Sequence, residues 1–203
     1  ARFNPGRDAA RKEASKLNVP RIGVRFRLPA SMNQVEYFGR GPAENYLDRN
    51  AGSMIGLYKS TAEELYFPYV RPQENGHHTD TRWVSLSTGK KGLLIQADNT
   101  IGFNALRNSI EDFDDEEATG LPRQWSNFTP EQVANHDEAA AKSVLRRQHH
   151  INDITPRDFV EVCVDLKQQG VAGYDSWGSR PEPAYTLPAN REYNWGFTLI
   201  PLK

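Results

Sequence analysis

The stretch FVEVCVDL, residues 159–166, alternates apolar and polar side chains with a period of two. Val160, Val162 and Val164 share one side of the pattern, and the polar residues between them share the other. Successive side chains point to opposite faces in a β-strand, whereas a helix repeats every 3.6 residues. The stretch therefore predicts a strand, and with it a sheet that has two distinct faces.

Similar patterns occur along the rest of the chain. In residues 21–28 an apolar residue occupies every second position from Ile22, and Pro29 ends the run, which predicts a half-buried strand. Further strands are predicted at residues 34–38, 83–86, 92–97 and 195–199. The 15 glycines and 13 prolines that separate such runs are typical of short strands joined by turns. We expect an all-β domain.

Few segments favour helix. Residues 129–132, Thr-Pro-Glu-Gln, read as an N-cap followed by proline at the first helical position, and residues 137–147 favour a helix by propensity. One or two short helices are expected. The acidic run at 111–117 is interpreted as a solvated loop, with a calcium site as the alternative because clustered carboxylates suit hard cations.

Composition narrows the classes of function. The chain has 203 residues, with 25 basic and 26 acidic side chains, so no net charge attracts nucleic acid or an anionic membrane. Residues 1–18 are interpreted as an irregular leading segment or linker remnant, and residues 19–203 as one domain. The single Cys163 is expected to be a small core residue.

No apolar stretch approaches the ~20 residues of a membrane span, and the first residues lack the apolar core of a signal peptide. We expect a soluble piece whose compartment is unknown, since any targeting signal could have been lost with a preceding part of the chain.

Candidates for catalysis are weak. Glu44, Glu74 and Asp175 stand in loops rich in glycine, proline and aromatic residues, but such acids more often cap turns or pair with arginine. The pairs His77-His78 and His149-His150 lack a third ligand at a zinc spacing. No phosphate-binding loop or nucleophile elbow occurs. No catalytic or metal-binding residue is assigned.

Three segments are denser in turn, aromatic and hydrogen-bonding residues than packing requires: 37–49, 68–76 and 173–178. The residues alone leave two interpretations open for the first two segments, a binding surface or side chains that satisfy buried loop backbone. The polar residues concerned are Arg40, Glu44, Asn45, Asp48, Arg49, Arg71, Glu74 and Asn75.

In this order and at these separations, the three segments resemble the last domain of the large β-galactosidases of glycoside hydrolase family two. The resemblance begins near Val19 and passes through Thr81-Arg82-Trp83 and Asp175-Ser176-Trp177. It implies a large antiparallel supersandwich, similar to galactose mutarotase, that follows jelly-roll, immunoglobulin-like and barrel domains on the same polypeptide.

The resemblance also implies roles. The two catalytic glutamates of the family belong to the barrel, which no part of this sequence resembles, so the isolated chain is expected to be inactive. Trp177 resembles the tryptophan that reaches the active-site mouth and stacks on sugar. Removing roughly 100 Å² from water there is worth about 2–3 kcal/mol. The alternative is a core tryptophan.

This chain departs from the family's usual Gly-Gly-Asp-Asp-Ser-Trp, because Ala172-Gly173-Tyr174 precede Asp175. Tyr174 either adds a second stacking surface or fills space, and Asp175 is a further candidate for sugar binding.

The expected function is to complete the substrate site and buttress the barrel of an enzyme that hydrolyses terminal β-D-galactosides. A sugar and the barrel are the expected partners. No cofactor is expected in this part. Metal ions would belong to the absent catalytic domain, and the whole enzyme could form a homo-oligomer. Two alternatives stay open: a free-standing carbohydrate-binding module, and a mutarotase-like epimerase with a histidine and a carboxylate facing each other across a cleft.

Overall fold

A computed structural model describes residues 2–3, 18–70, 73–113, 151–175 and 178–203. The chain forms two compact units. The first consists of Ala1–Phe67, Asn75–Arg107 and Asp158–Lys203, and the second of Pro68–Glu74 and Asn108–Arg157. The regular structure is almost entirely antiparallel strand, which confirms the predicted all-β class.

The strands that the structure describes all belong to the first unit. They are β1 (Arg2–Phe3), β2 (Arg21–Pro29), β3 (Gln34–Gly41), β4 (Met54–Thr61), β5 (His78–Ser87), β6 (Gly92–Leu106), β7 (Phe159–Gln168), β8 (Tyr193–Asn194) and β9 (Phe197–Leu202). A short 3-10 helix, Pro183–Tyr185, follows β7.

Seven strands form one antiparallel sheet: six follow the order β2-β7-β6-β5-β3-β4, and the seventh, β9, pairs with β6. The long strand β6 pairs with β5 along one edge, while its other edge pairs first with β9 and then with β7. Strands β1 and β8 form a separate two-stranded sheet. This arrangement places the loop after β3 and the loop after β7 in the same unit, where the candidate site is found.

The core lies on one face of the seven-stranded sheet. Val162 and Val164 of β7 are opposite Ala105 and Phe103 of β6, and all four side chains are fully buried. The other face of β7 is buried as well, since Glu161, Cys163 and Asp165 are covered too. The predicted alternation of β7 is therefore real, but its polar side chains do not face water.

Strand β4 was not among the predicted strands. It pairs with β3 along its length and ends the strand order of the sheet. Met54, Ile55 and Leu57 are exposed, so apolar side chains occur on both faces of β4. Such a sequence lacks the alternation that marks a half-buried strand.

The second unit is described at residues 68–70, 73–74, 108–113 and 151–157. It contains the 3-10 helices Ile110–Asp112 and Ile151–Asp153. Ser109 caps the first helix, and the carboxylate of Asp112 accepts hydrogen bonds from the Ser109 amide (2.8 Å) and the Arg157 guanidinium. The helices predicted at 129–132 and 137–147, and most of the acidic run, lie outside the described residues.

Among the described residues, no helix has the length and apolar character that a membrane crossing requires. In the same part of the chain, no three His, Cys, Asp or Glu side chains are grouped so that they could hold a metal ion.

Candidate functional site

Asn45 organises the loop between β3 and β4. Its side chain is fully buried, and Oδ1 accepts hydrogen bonds from the amide and the hydroxyl of Thr79 at 2.9 and 2.6 Å. Nδ2 donates to the carbonyl oxygens of Arg40 and Ala43, both at 3.1 Å. A single amide therefore satisfies buried backbone on the loop and on β5.

Glu44 also bonds to neighbouring loops. One carboxylate oxygen accepts from the Gly76 amide at 2.7 Å and from the Tyr46 hydroxyl at 3.2 Å. The other accepts from Arg49 at 2.9 Å, and the guanidinium of Arg49 lies over the Tyr46 ring. Hydrogen bonds within the protein thus engage both oxygens of this candidate acid.

Arg40 and Asn75 have comparable contacts. Arg40 donates to Asp80 Oδ2 at 2.5 Å and to the Ser53 carbonyl at 2.8 Å. Asn75 is buried, and its Oδ1 accepts from the Phe67 amide at 3.0 Å. Glu74, in the second unit, is partly buried, and Arg71 lies outside the described residues.

A buried polar network lies behind this loop, and the sequence did not predict it. Asn104 Oδ1 accepts from Arg21 at 2.7 Å, and Asn104 Nδ2 donates to the Asn75 carbonyl at 2.6 Å. Because this fixes Oδ1 as an acceptor, the His77 Nδ1 at 2.8 Å must be the donor. Burial, together with the charge of Arg21, lowers the pKa of His77 to about 3. The histidine is therefore neutral.

His77 Nδ1 also lies 3.8 Å from Asp165 Oδ2, which is the kind of pair that an epimerase would require. Both residues are only 1% exposed. A sugar cannot reach side chains buried to this degree, so the pair has a structural role in the sheet. In the sequence, His77 stood out only as half of a His-His pair and Asp165 only as a polar position of the β7 pattern, and nothing connected the two residues.

Asp48 connects the β3–β4 loop to the loop that follows β7. Its Oδ1 accepts from the Val171 amide at 3.0 Å, and its Oδ2 accepts from the Ala172 amide at 2.8 Å and from the Tyr174 hydroxyl at 3.2 Å. Gly170 packs so closely that a Cβ at this position would overlap the carboxylate. Three hydrogen bonds thus hold the 170–174 segment against a residue more than 120 positions earlier in the chain.

Beyond the contacts with Asp48, the loop is held by hydrogen bonds among Tyr174, Asp175 and Ser179. The Tyr174 amide donates to Ser179 Oγ at 3.0 Å, and the Ser179 amide donates to Asp175 Oδ1 at 3.3 Å. Ala172 and Gly173 both have positive φ, 55° and 81°, so the chain turns sharply just before Tyr174. Ser176 and Trp177 lie outside the described residues.

This loop presents an aromatic ring and carboxylates at the surface. Tyr174 is 56% exposed although its hydroxyl is tied to Asp48, and Asp175 is exposed. Partial desolvation of the phenol and the adjacent Asp48 carboxylate raise the pKa of Tyr174. An aromatic face beside hydrogen-bonding groups can take the apolar face of a ring that carries hydroxyls on its edge.

Comparison with known proteins identifies one matching family and several similar sequences. The family model described as "Beta galactosidase small chain" matches residues 4–199. A beta-galactosidase of Priestia megaterium is 35% identical over 91% of this chain, and one of Vibrio cholerae is 29% identical over 89%. A beta-galactosidase of an Arthrobacter species is 40% identical over 52%. The matched parts span 15%, 14% and 11% of those relatives.

Proposed function

Because the chain belongs to the beta-galactosidase small-chain family, we propose that it completes the substrate site of a β-galactosidase polypeptide. The loop of residues 170–179 contacts the sugar in this proposal. The observation that carries it is the pair of contacts from Asp48 to the Val171 and Ala172 amides. They hold residues 170–175 in place, and the exposed Tyr174 and Asp175 precede Trp177 closely in the sequence.

Trp177 is proposed to stack on the sugar, with Tyr174 and Asp175 beside it. The described residues nearest to it in the sequence, Asp175 and Gly178, are both exposed, which supports a binding role over a core tryptophan. An indole face in such a loop is suited to the C–H face of a sugar ring.

Hydrolysis is proposed to take place elsewhere in the polypeptide. A retaining glycosidase needs two carboxylates about 5 Å apart, one of them a nucleophile, whereas Glu44 is occupied by Gly76, Tyr46 and Arg49. The domain therefore acts as a partner of the catalytic barrel, which it buttresses, and is inactive alone. Epimerase activity is disfavoured because His77 and Asp165 are buried.

Replacement of Trp177 tests the proposal. In the full-length polypeptide, Trp177→Ala should raise KM for a β-galactoside some tens-fold through the loss of stacking area, and Trp177→Phe should retain part of the affinity. In the isolated chain, Trp177→Ala should change the free energy of unfolding by no more than ~0.5 kcal/mol, because an exposed ring contributes little.

Two results would contradict the proposed role of Trp177. A core tryptophan would cost about 3–5 kcal/mol on truncation, and an unaltered KM in the full-length variant would remove Trp177 from the substrate site. Tight binding of galactose by the isolated chain would favour the free-standing carbohydrate module instead.

A further inference from the structure

Strand β4 gives the large sheet an apolar edge. Among the described strands, β4 pairs with β3 alone, so the other side of its backbone has no strand beside it in that part of the chain. Met54, Ile55 and Leu57 are 71%, 44% and 58% exposed. Phe38 of β3 lies directly opposite Leu57 and is exposed as well. Apolar side chains and an open strand edge occur together here, and this combination accepts a further strand.

The other end of the strand order has protection that β4 lacks. Strand β2 carries Arg21, Arg25 and Arg27 and ends at Pro29. Charged side chains and proline are the usual means by which proteins prevent edge strands from pairing. Strand β4 contains no proline, and its one charged residue, Lys59, follows the apolar positions. A second copy of β2 would set arginines against arginines, whereas β4 presents no such conflict to its own copy.

The sequence of β4 suits pairing with a second copy of itself. When two identical strands pair antiparallel about a two-fold axis, each facing pair of residues has the same sum of residue numbers, and both side chains point to the same face of the sheet. With the axis at Gly56, Ile55 faces Leu57 of the second copy, and Leu57 faces Ile55 of the second copy. On the opposite face, Met54 and Tyr58 are paired in the same way. All the apolar side chains of the strand then find apolar or aromatic partners.

The position of Lys59 selects this register. With the axis at Gly56, Lys59 faces Ser53 of the second copy, which precedes the strand, and its ammonium group stays in water. An axis one residue further along would place Lys59 opposite Ile55, and an axis two residues further would place it opposite Leu57. Both set a charge against an apolar side chain, which costs desolvation. An axis one residue earlier would move Leu57 opposite Ser53 and lose an apolar pair.

We infer that strand β4 is a pairing surface for a second copy of this chain, and that the two sheets join there into one antiparallel sheet with a two-fold axis at Gly56. On one face an apolar band then crosses the junction, because Phe38 and Leu57 of one copy continue into Ile55 of the other. Glycine at the axis lets the two backbones approach closely. The pairing involves no residue of the 170–179 loop, so it goes beyond the proposed function.

Complementary charge substitutions test the pairing and its register. Leu57→Lys and Ile55→Glu each set a charge against an apolar residue, so each should raise the dissociation constant of the dimer about ten-fold or more. In an equimolar mixture of the two variants, the introduced lysine of one chain faces the introduced glutamate of the other, and the remaining facing pair is the native one. The mixture should therefore associate more strongly than either variant alone at the same total concentration. Sedimentation equilibrium up to about 1 mM protein measures this association.

Two controls separate the β4 edge from general effects. Leu199→Lys makes the same change at an exposed leucine of β9, which pairs with the edge of β6 opposite to β5, and it should leave association unchanged. Circular dichroism of each variant checks that the strands are intact. A misfolded variant would also fail to associate in the mixture, so recovery on mixing cannot arise from misfolding.

Hydrogen exchange locates the contact in the native chain. As the protein concentration rises, backbone amides of β4 should become protected, because they gain partners on the second copy. Amides of β2 should keep their exchange rates and serve as the internal reference. Protection that grows on β2 or β9 in place of β4 would show that the copies meet elsewhere, and would overturn the inference.

The sedimentation results can overturn the inference in two further ways. A native chain that stays monomeric up to about 1 mM would exclude self-pairing and leave another part of the polypeptide as the occupant of the β4 edge. If both single variants weaken association but their mixture does not recover, the axis at Gly56 is wrong. Neither result bears on Trp177, so the proposed function is tested separately.

Discussion

His77 makes the stability of the domain depend on pH. Its folded pKa, about 3, lies below the ordinary value of about 6.5 in an unfolded chain. Between these values the unfolded chain binds a proton that the folded chain excludes. The free energy of unfolding is therefore highest, as far as His77 is concerned, above pH 6.5, and it decreases as the pH falls toward 3.

The dependence of the free energy of unfolding on pH can be tested with His77→Asn. In this variant the side-chain amide nitrogen replaces Nδ1 as the donor to Asn104 and cannot titrate. Between pH 7.5 and 5.5, the free energy of unfolding of the native chain should fall by about 1.4 kcal/mol more than that of the variant. Urea titrations at both pH values provide the measurement. Parallel declines in the two proteins would show that His77 titrates normally in the fold.

Among the elements, strand β4 lies last in the strand order of the sheet and exposes several apolar side chains to water. Leu57 is 58% exposed, beside Ile55 and Met54, and an apolar edge strand is a site for association with other chains. Leu57→Lys should therefore reduce self-association of the isolated chain, while its free energy of unfolding changes by about 0.5 kcal/mol or less.

Sedimentation over a range of concentrations would measure this effect. Gln96→Lys adds the same charge at an exposed position on β6 and should leave association unchanged. Equal effects of the two substitutions would assign the result to net charge and not to the edge strand.

The elements that the sequence predicts well are those in which apolar and polar side chains alternate. Both β7 and β2 alternate in this way, so both strands were predicted close to their observed bounds, although both faces of β7 are buried. The pattern fails for β4, where both faces carry apolar residues, and for the start of β5, where the pairing register shifts between His78 and Trp83. A bulge changes which side chains point inward, and local periodicity then carries no signal.

At the scale of the whole molecule, the proposed function assigns hydrolysis to another part of the polypeptide. The purified chain should therefore show no turnover of a chromogenic β-galactoside, since the nucleophile and the acid must share one scaffold. A spectrophotometric assay at high protein concentration checks this. Turnover that disappears on replacing Glu44, Glu74 or Asp175 would contradict it.

Only part of the candidate site could be predicted from the sequence. The sequence identified the dense segments because turn and aromatic residues mark loops locally. It could not show that Asp48 meets residues 171–174, or that Arg21, Asn104 and His77 share one network. Those contacts join residues from 27 to 126 positions apart, and the order of strands in the sheet brings them together.

The contact between Gly170 and Asp48 has a consequence for how related sequences can diverge. Any side chain at 170 would collide with the carboxylate, and a shorter residue at 48 would leave the Val171 and Ala172 amides without their acceptor. A substitution at either position alone should therefore be unfavourable, because it creates a collision or removes hydrogen bonds. The two should be inherited as a pair, so a natural variant that carries a larger residue at 170 should also carry a different residue at 48.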